Sequence, residues 1–292
     1  MPGDTDRQNW ESGIAWTVRS CTFFRNYMGF SSAILTADVW PHDYVFEDTH
    51  FIQNAAATFF CQDEVHMFHG YPGEDRRRGS SWMSHTNTLY DGGFLSEGVW
   101  GIMPADYMIF DPDDDPDLVV NITHNGTTHT DHGNVLWGIG HAPAAIWPPQ
   151  SDQLRKINLH MVDYRMTGNL AALASGDTYD SSTIADFGVN TLMERTRILD
   201  NGNANSGAQG VGGITLFRGE SQLPENRATA RFVNTEWAGN MAGNGAAVGL
   251  LSGLIDLSFD NCIMRNNVAH LGGGAISFDV SAAALLPGCS KV

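Results

Sequence analysis

The stretch DNCIMRNNVAHLGGGAISF, Asp260–Phe278, decides the fold. An apolar residue, Ile263, is followed by two spacers and Asn266, then by a short turn and the run Gly272-Gly273-Gly274-Ala275-Ile276. The same unit recurs upstream. Phe23 leads to Asn26 and then Ser32-Ala33-Ile34-Leu35; Phe51 leads to Asn54 and then Ala55-Ala56-Ala57. Met166 leads to Asn169 and Leu170-Ala171-Ala172-Leu173, Ile198 to Asn201 and Gly212-Gly213-Ile214, and Trp237 to Asn240 and Gly245-Ala246-Ala247-Val248. A small or polar residue stands two positions before most of these apolar residues: Cys21, Thr49, Thr196, Thr235 and Asn261. A weaker copy runs from Thr86 through Thr88 to Asp91, with Gly92-Gly93 after it.

The asparagines are 28 (Asn26 to Asn54), 32 (Asn169 to Asn201), 39 (Asn201 to Asn240) and 26 (Asn240 to Asn266) residues apart. Irregular periods of this size describe coils with variable loops. One coil is too small to bury its own apolar face, so it must stack on its neighbours. Within each copy the apolar residues lie two apart, the period of a strand, and no helical period is sustained. The expected fold is all-β, a parallel β-helix with irregular coils. Asn26, Asn54, Asn169, Asn201, Asn240 and Asn266 are expected at equivalent corners as a structural ladder of stacked amides. Each is also a turn residue that tolerates left-handed φ, an equally architectural role. Ile263 is expected inside the stack.

Phe-x-x-Asn at Phe23–Asn26 and Phe51–Asn54, together with Gly273-Gly274-Ala275-Ile276, resembles the repeat of the chlamydial-type polymorphic outer-membrane proteins and related β-helix surface proteins. Ile, Met and Trp replace Phe in the other copies. The resemblance covers residues 15–60 and 160–280. It implies a right-handed, pectin-lyase-like β-helix on an extracellular or cell-surface protein with an adhesive or structural role.

The motif is missing from the middle of the chain. We therefore expect one continuous domain in three parts: coils over 1–93, a loop-rich insertion packed on the helix over 94–159, and the main coils over 160–292. The insertion contains Asp111, Asp113, Asp114, Asp115 and Asp117, with Pro112 and Pro116 between them. These prolines forbid a helix, and such an oxygen-rich loop is either solvated or a site for Ca²⁺. Ca²⁺ is the one cofactor the sequence suggests. The spacing is not that of an EF-hand. Asn121-Ile122-Thr123 and Asn125-Gly126-Thr127 are N-glycosylation sequons in a chain from a eukaryote. His124, His129, Asp131 and His132 are zinc-type residues without a zinc-type spacing, and read as a polar loop. Four cysteines, Cys21, Cys61, Cys262 and Cys289, form no Cys-x-x-Cys pair. They are either buried thiols or disulfides, and Cys262 and Cys289 are about one coil apart.

The formal net charge is −17, from 33 acidic and 16 basic residues. This argues against nucleic acid and anionic membrane surfaces as partners. No apolar run is long enough for a membrane-spanning helix. The polar opening Met1-Pro2-Gly3-Asp4 is not a signal peptide. The expectation is a segment of a longer surface protein or a processed form, with a cytosolic protein as the plain alternative. Its expected partners are other copies of itself, surface proteins and glycans.

Three functions compete. A non-enzymatic structural or adhesive protein, one able to form filaments by end-to-end stacking, fits the repeat best; this reading assigns no catalytic residues. A polysaccharide lyase or glycosidase would draw on Asp111, Asp113, Asp114 and His141. A carbohydrate-binding module would stack sugars on Trp40, Trp82 and Trp100. No nucleophile elbow and no phosphate loop occur.

Overall fold

A computed structural model describes residues 15–28, 35–38, 43–56, 65–69, 80–91, 107–110, 119–130, 141–147, 157–168, 184–187, 190–202, 214–217, 228–244, 246–252 and 255–278. Every regular element among them is a strand. The described residues form three parallel sheets of eight strands each. The first contains Ala15–Arg19, Asp43–Glu47, Ser80–Thr86, Val119–Asn125, Ile157–Val162, Asn190–Glu194, Ala228–Val233 and Ile255–Asp260. The second contains Thr22–Phe24, His50–Ile52, Leu89–Asp91, Thr128–Thr130, Arg165–Thr167, Arg197–Leu199, Glu236–Ala238 and Ile263–Arg265. The third contains Leu35–Asp38, Val65–His69, Tyr107–Phe110, His141–Trp147, Ile184–Phe187, Ile214–Phe217, Val248–Ser252 and Ile276–Phe278. In chain order each first-sheet strand is followed by one from the second sheet and one from the third. The chain therefore makes eight described coils, numbered here 1 to 8, of a right-handed parallel β-helix, the hand that parallel crossovers adopt.

Alternation places the core. Along the first sheet the inward residues stack coil by coil in two columns. One runs Trp16, Tyr44, Met83, Ile122, Leu159, Thr191, Ala230, Leu257; the other runs Val18, Phe46, His85, His124, Met161, Met193, Phe232, Phe259. The second sheet adds Phe23, Phe51, Tyr90, His129, Met166, Ile198, Trp237 and Met264. Aromatic stacking follows this register, with Phe23 on Phe51 at 5.2 Å and Phe51 on Tyr90 at 4.7 Å.

The corner between the first two sheets takes two residues. The first is left-handed in all eight coils: Ser20, Asp48, Asn87, Gly126, Asp163, Arg195, Asn234 and Asn261. Asn and Asp supply most of these positions, as their tolerance of that region predicts. The second residue points inward: Cys21, Thr49, Thr88, Thr127, Tyr164, Thr196, Thr235 and Cys262. A second left-handed position follows the second sheet at Arg25, Gln53, Gly168, Asp200, Gly239 and Asn266. At Gly239 φ is +68°, and a Cβ there would require the Asp200 carboxylate to move.

Two expectations are corrected. The interval 94–159 is coil wherever it is described, not a lateral insertion. Tyr107–Phe110, Val119–Asn125, Thr128–Thr130 and His141–Trp147 pair with strands on both sides. Coil 4 escaped the motif because His124 and His129 occupy apolar positions, and the sequence reads His129-x-x-His132 where apolar-x-x-Asn was sought. In coil 8 the motif was read one residue early. Met264, not Ile263, pairs with Trp237 and faces inward, and Ile263 is 54% exposed. A one-residue slip in a strand exchanges its two faces.

Candidate functional site

The corner asparagines are built by the turn that precedes them. Asn54 Oδ1 accepts from the backbone N–H and the Nδ2 of Asn26, both at 2.9 Å, while Asn54 Nδ2 donates to the Phe23 carbonyl at 3.1 Å. Asn240 repeats this, accepting from Asn201 N and Nδ2 at 3.1 Å and donating to the Ile198 carbonyl at 2.9 Å. Asn267 continues the row, accepting from Asn240 N and Nδ2 at 3.0 Å and donating to the Trp237 carbonyl at 3.0 Å. Asn54, Asn201 and Asn240 are buried, and their amides satisfy backbone groups that the corner leaves unpaired. Asn266 does not join the row. It is the exposed left-handed residue before Asn267, φ +55°, as the slip in coil 8 requires. Asn169 lies outside the described residues.

A second amide row lies on the outer face of the first sheet. Asn158 Nδ2 donates to Asn121 Oδ1 at 3.1 Å, Asn190 Nδ2 to Asn158 Oδ1 at 3.2 Å, and Thr229 N to Asn190 Oδ1 at 3.2 Å. The sequence did carry a signal: Asn121, Asn158 and Asn190 each stand directly before an inward residue. They stand near the start of a first-sheet strand, ahead of its apolar pair, and not at a corner. Asn158 and Asn190 of this row, with His160, Leu192, Arg231 and Asp256, line a groove of about 550 Å³ on this face. His160 Nε2 lies 2.8 Å from Glu194 Oε2. Such a lining offers amide donors and acceptors to hydroxyl-bearing ligands. Trp82, 54% exposed, extends the same column beyond Asn121.

The histidines read as a polar loop are interior. His85, His124 and His129 are fully buried, His85 and His124 stack at 4.4 Å, and Tyr90 and Tyr164 pack beside them. The Tyr90 hydroxyl lies 2.9 Å from His85 Nδ1. Asp131 and His132 are outside the described residues, as are the five aspartates of the calcium loop, Asp111, Asp113, Asp114, Asp115 and Asp117. So are Trp40 and Trp100. His141 begins a third-sheet strand. Among the described residues no three His, Cys, Asp or Glu side chains cluster as metal ligands would.

Of the sequon residues, Asn121 is half-buried in the outer amide row. Asn125 is exposed at a strand end, and its Thr127 points into the core, 3.5 Å from the His85 carbonyl. Cys21 and Cys262 are free thiols; Cys61 and Cys289 are outside the described residues. The Arg195 guanidinium, hydrogen-bonded to both Asp163 oxygens at 2.8 and 2.9 Å, holds that carboxyl below the usual range. Burial pushes the Tyr44 hydroxyl up to about 12. Among the described residues no helix is long and apolar enough to cross a membrane. No family model, curated protein or solved structure matches this chain.

Proposed function

We propose that this chain is a structural unit of an extracellular or cell-surface assembly, joined end to end through its coils. One observation carries the reading. Core positions that are sealed in the middle of the stack are only partly covered at its described ends: Val18 and Phe23 in coil 1, and Leu257, Phe259, Met264 and Ile276 in coil 8. Trp16 in coil 1 is 42% exposed. Further coils laid on either end would bury these side chains and pair the strand-edge N–H and C=O groups. The repeat's resemblance to the polymorphic outer-membrane proteins supports the same role. A head-to-tail contact that does not close grows into a filament. The net charge of −17 opposes close approach of like subunits, so association should strengthen with salt or with Ca²⁺. Sedimentation of the full chain at low and high salt, with and without Ca²⁺, tests this; a monomer under every condition overturns it.

The groove on the first sheet favours a second reading, a site for a polysaccharide, either bound or cleaved. Its amide lining and the exposed Trp82 suit sugar hydroxyls and a sugar face. Retention on immobilised polysaccharides, followed by assay of the products, would separate binding from cleavage. Glycan on Asn121 or Asn125 belongs to the surface-protein reading in a eukaryotic source, and an intact mass before and after deglycosylation reads it out.

A further inference from the structure

Cys21 and Cys262 occupy the same inward corner position in coil 1 and coil 8, the two outermost described coils. Between them this column holds Thr49, Thr88, Thr127, Tyr164, Thr196 and Thr235. Their thiols do what the threonines do. Thr49 Oγ1 donates to the carbonyl of its own coil, Glu47, at 3.0 Å and to that of the coil before, Val18, at 3.3 Å. Cys262 Sγ lies 3.4 Å from the Asp260 carbonyl and 3.4 Å from the Phe232 carbonyl, while Cys21 Sγ has only its own-coil partner, Arg19 O at 3.2 Å. Both cysteines are free.

We propose that coil 1 of one copy stacks on coil 8 of a second copy and that a disulfide between Cys21 and the second copy's Cys262 locks the junction. This rests on the end-to-end reading above and names its contact. The two ends match chemically when the internal register is continued across them. Arg19 follows Asp260 in one outer column, opposite charges in a chain that is otherwise strongly acidic. Phe24 follows Arg265 in another, placing a guanidinium beside an exposed ring. Asn26 Oδ1 meets the donors of Asn267, as Asn267 Oδ1 meets those of Asn240 within the chain. Val18 covers Phe259, and Phe23 covers Met264. Strands one coil apart lie about 4.8 Å from each other, within the Cα separations of about 4.4–6.8 Å that a disulfide spans. The Cβ atoms must draw slightly closer than that spacing.

In the step itself one S–S bond forms, two S–H bonds break, and two protons and two electrons leave. A small disulfide such as oxidised glutathione takes the electrons by exchange and becomes two thiols.

The test incubates the full chain with oxidised glutathione at high salt and resolves it on a non-reducing gel, with mass spectrometry of the linked peptides. The expected result is a ladder of covalent multimers carrying a Cys21–Cys262 peptide. Cys21→Ser and Cys262→Ser should each lose that ladder. Mixed together they should give a Cys21–Cys262 dimer and nothing larger through this link, because each copy keeps one competent end. Sedimentation of each variant shows whether stacking itself survives. Multimers by sedimentation without the Cys21–Cys262 peptide overturn the disulfide and leave end-to-end assembly standing. Monomers throughout overturn both. A Cys262–Cys289 peptide within one chain also overturns the inference, assigning coil 8 an intramolecular partner.

Discussion

Coils 3 and 4 and coils 6 and 7 fill equivalent positions with different chemistry. Where coils 6 and 7 place Met193 and Phe232 in the second first-sheet column, coils 3 and 4 place His85 and His124. Where the later pair has Ile198 and Trp237 in the second sheet, the earlier pair has Tyr90 and His129. All eight side chains are fully buried. The backbone register is thus indifferent to the filling, provided the interior remains packed. What differs is what holds each interior together. An apolar interior answers mainly to loss of volume, and one of stacked rings answers to loss of ring contacts as well.

Substitutions at these positions sharpen the comparison. Trp237→Ala should cost about 3–5 kcal/mol by denaturant titration. Asn240→Ala removes the amide that donates to the Ile198 carbonyl and accepts from Asn201, at about 1–3 kcal/mol. Ile263→Ala should shift stability by less than about 0.5 kcal/mol in a single chain, whereas Met264→Ala should cost more.

Asp163 supplies the smallest expected effect, and it depends on pH. Its pKa is depressed by Arg195, so its contribution is present above about pH 4 and is lost as pH falls through the lowered value. The pair is exposed, its worth is small, and Arg195→Gln should reduce the salt dependence of the melting curve more than its midpoint.

The coil repeat was legible because strand alternation and corner asparagines are local signals. Asn26, Asn54, Asn201 and Asn240 could be picked from a three-residue spacing to an apolar side chain. Asn267 was missed because Ile263-Met264 and Asn266-Asn267 are both consistent with that spacing, and only the pairing of Met264 with Trp237 chooses between them. Coil 4 was invisible for a different reason. Histidine at His124 and His129 reads as polar in sequence, yet a ring stacked on the ring of the next coil is a good interior residue. The outer amide row is a property of register across coils. Asn121, Asn158 and Asn190 lie 37 and 32 residues apart, and nothing within a single coil marks them as neighbours.

Every described strand in the three long sheets pairs only with strands one coil away. This has a consequence for how the chain acquires its structure. No contact between paired strands has to wait for the far end of the polypeptide. The loop to be closed is always about one coil long, so its entropic cost does not grow with the number of coils. Folding can start at any adjacent pair and spread in either direction, as in other quasi-one-dimensional repeats. During synthesis the first coils can settle before the last are made, each new turn of chain finding a finished edge to zip onto.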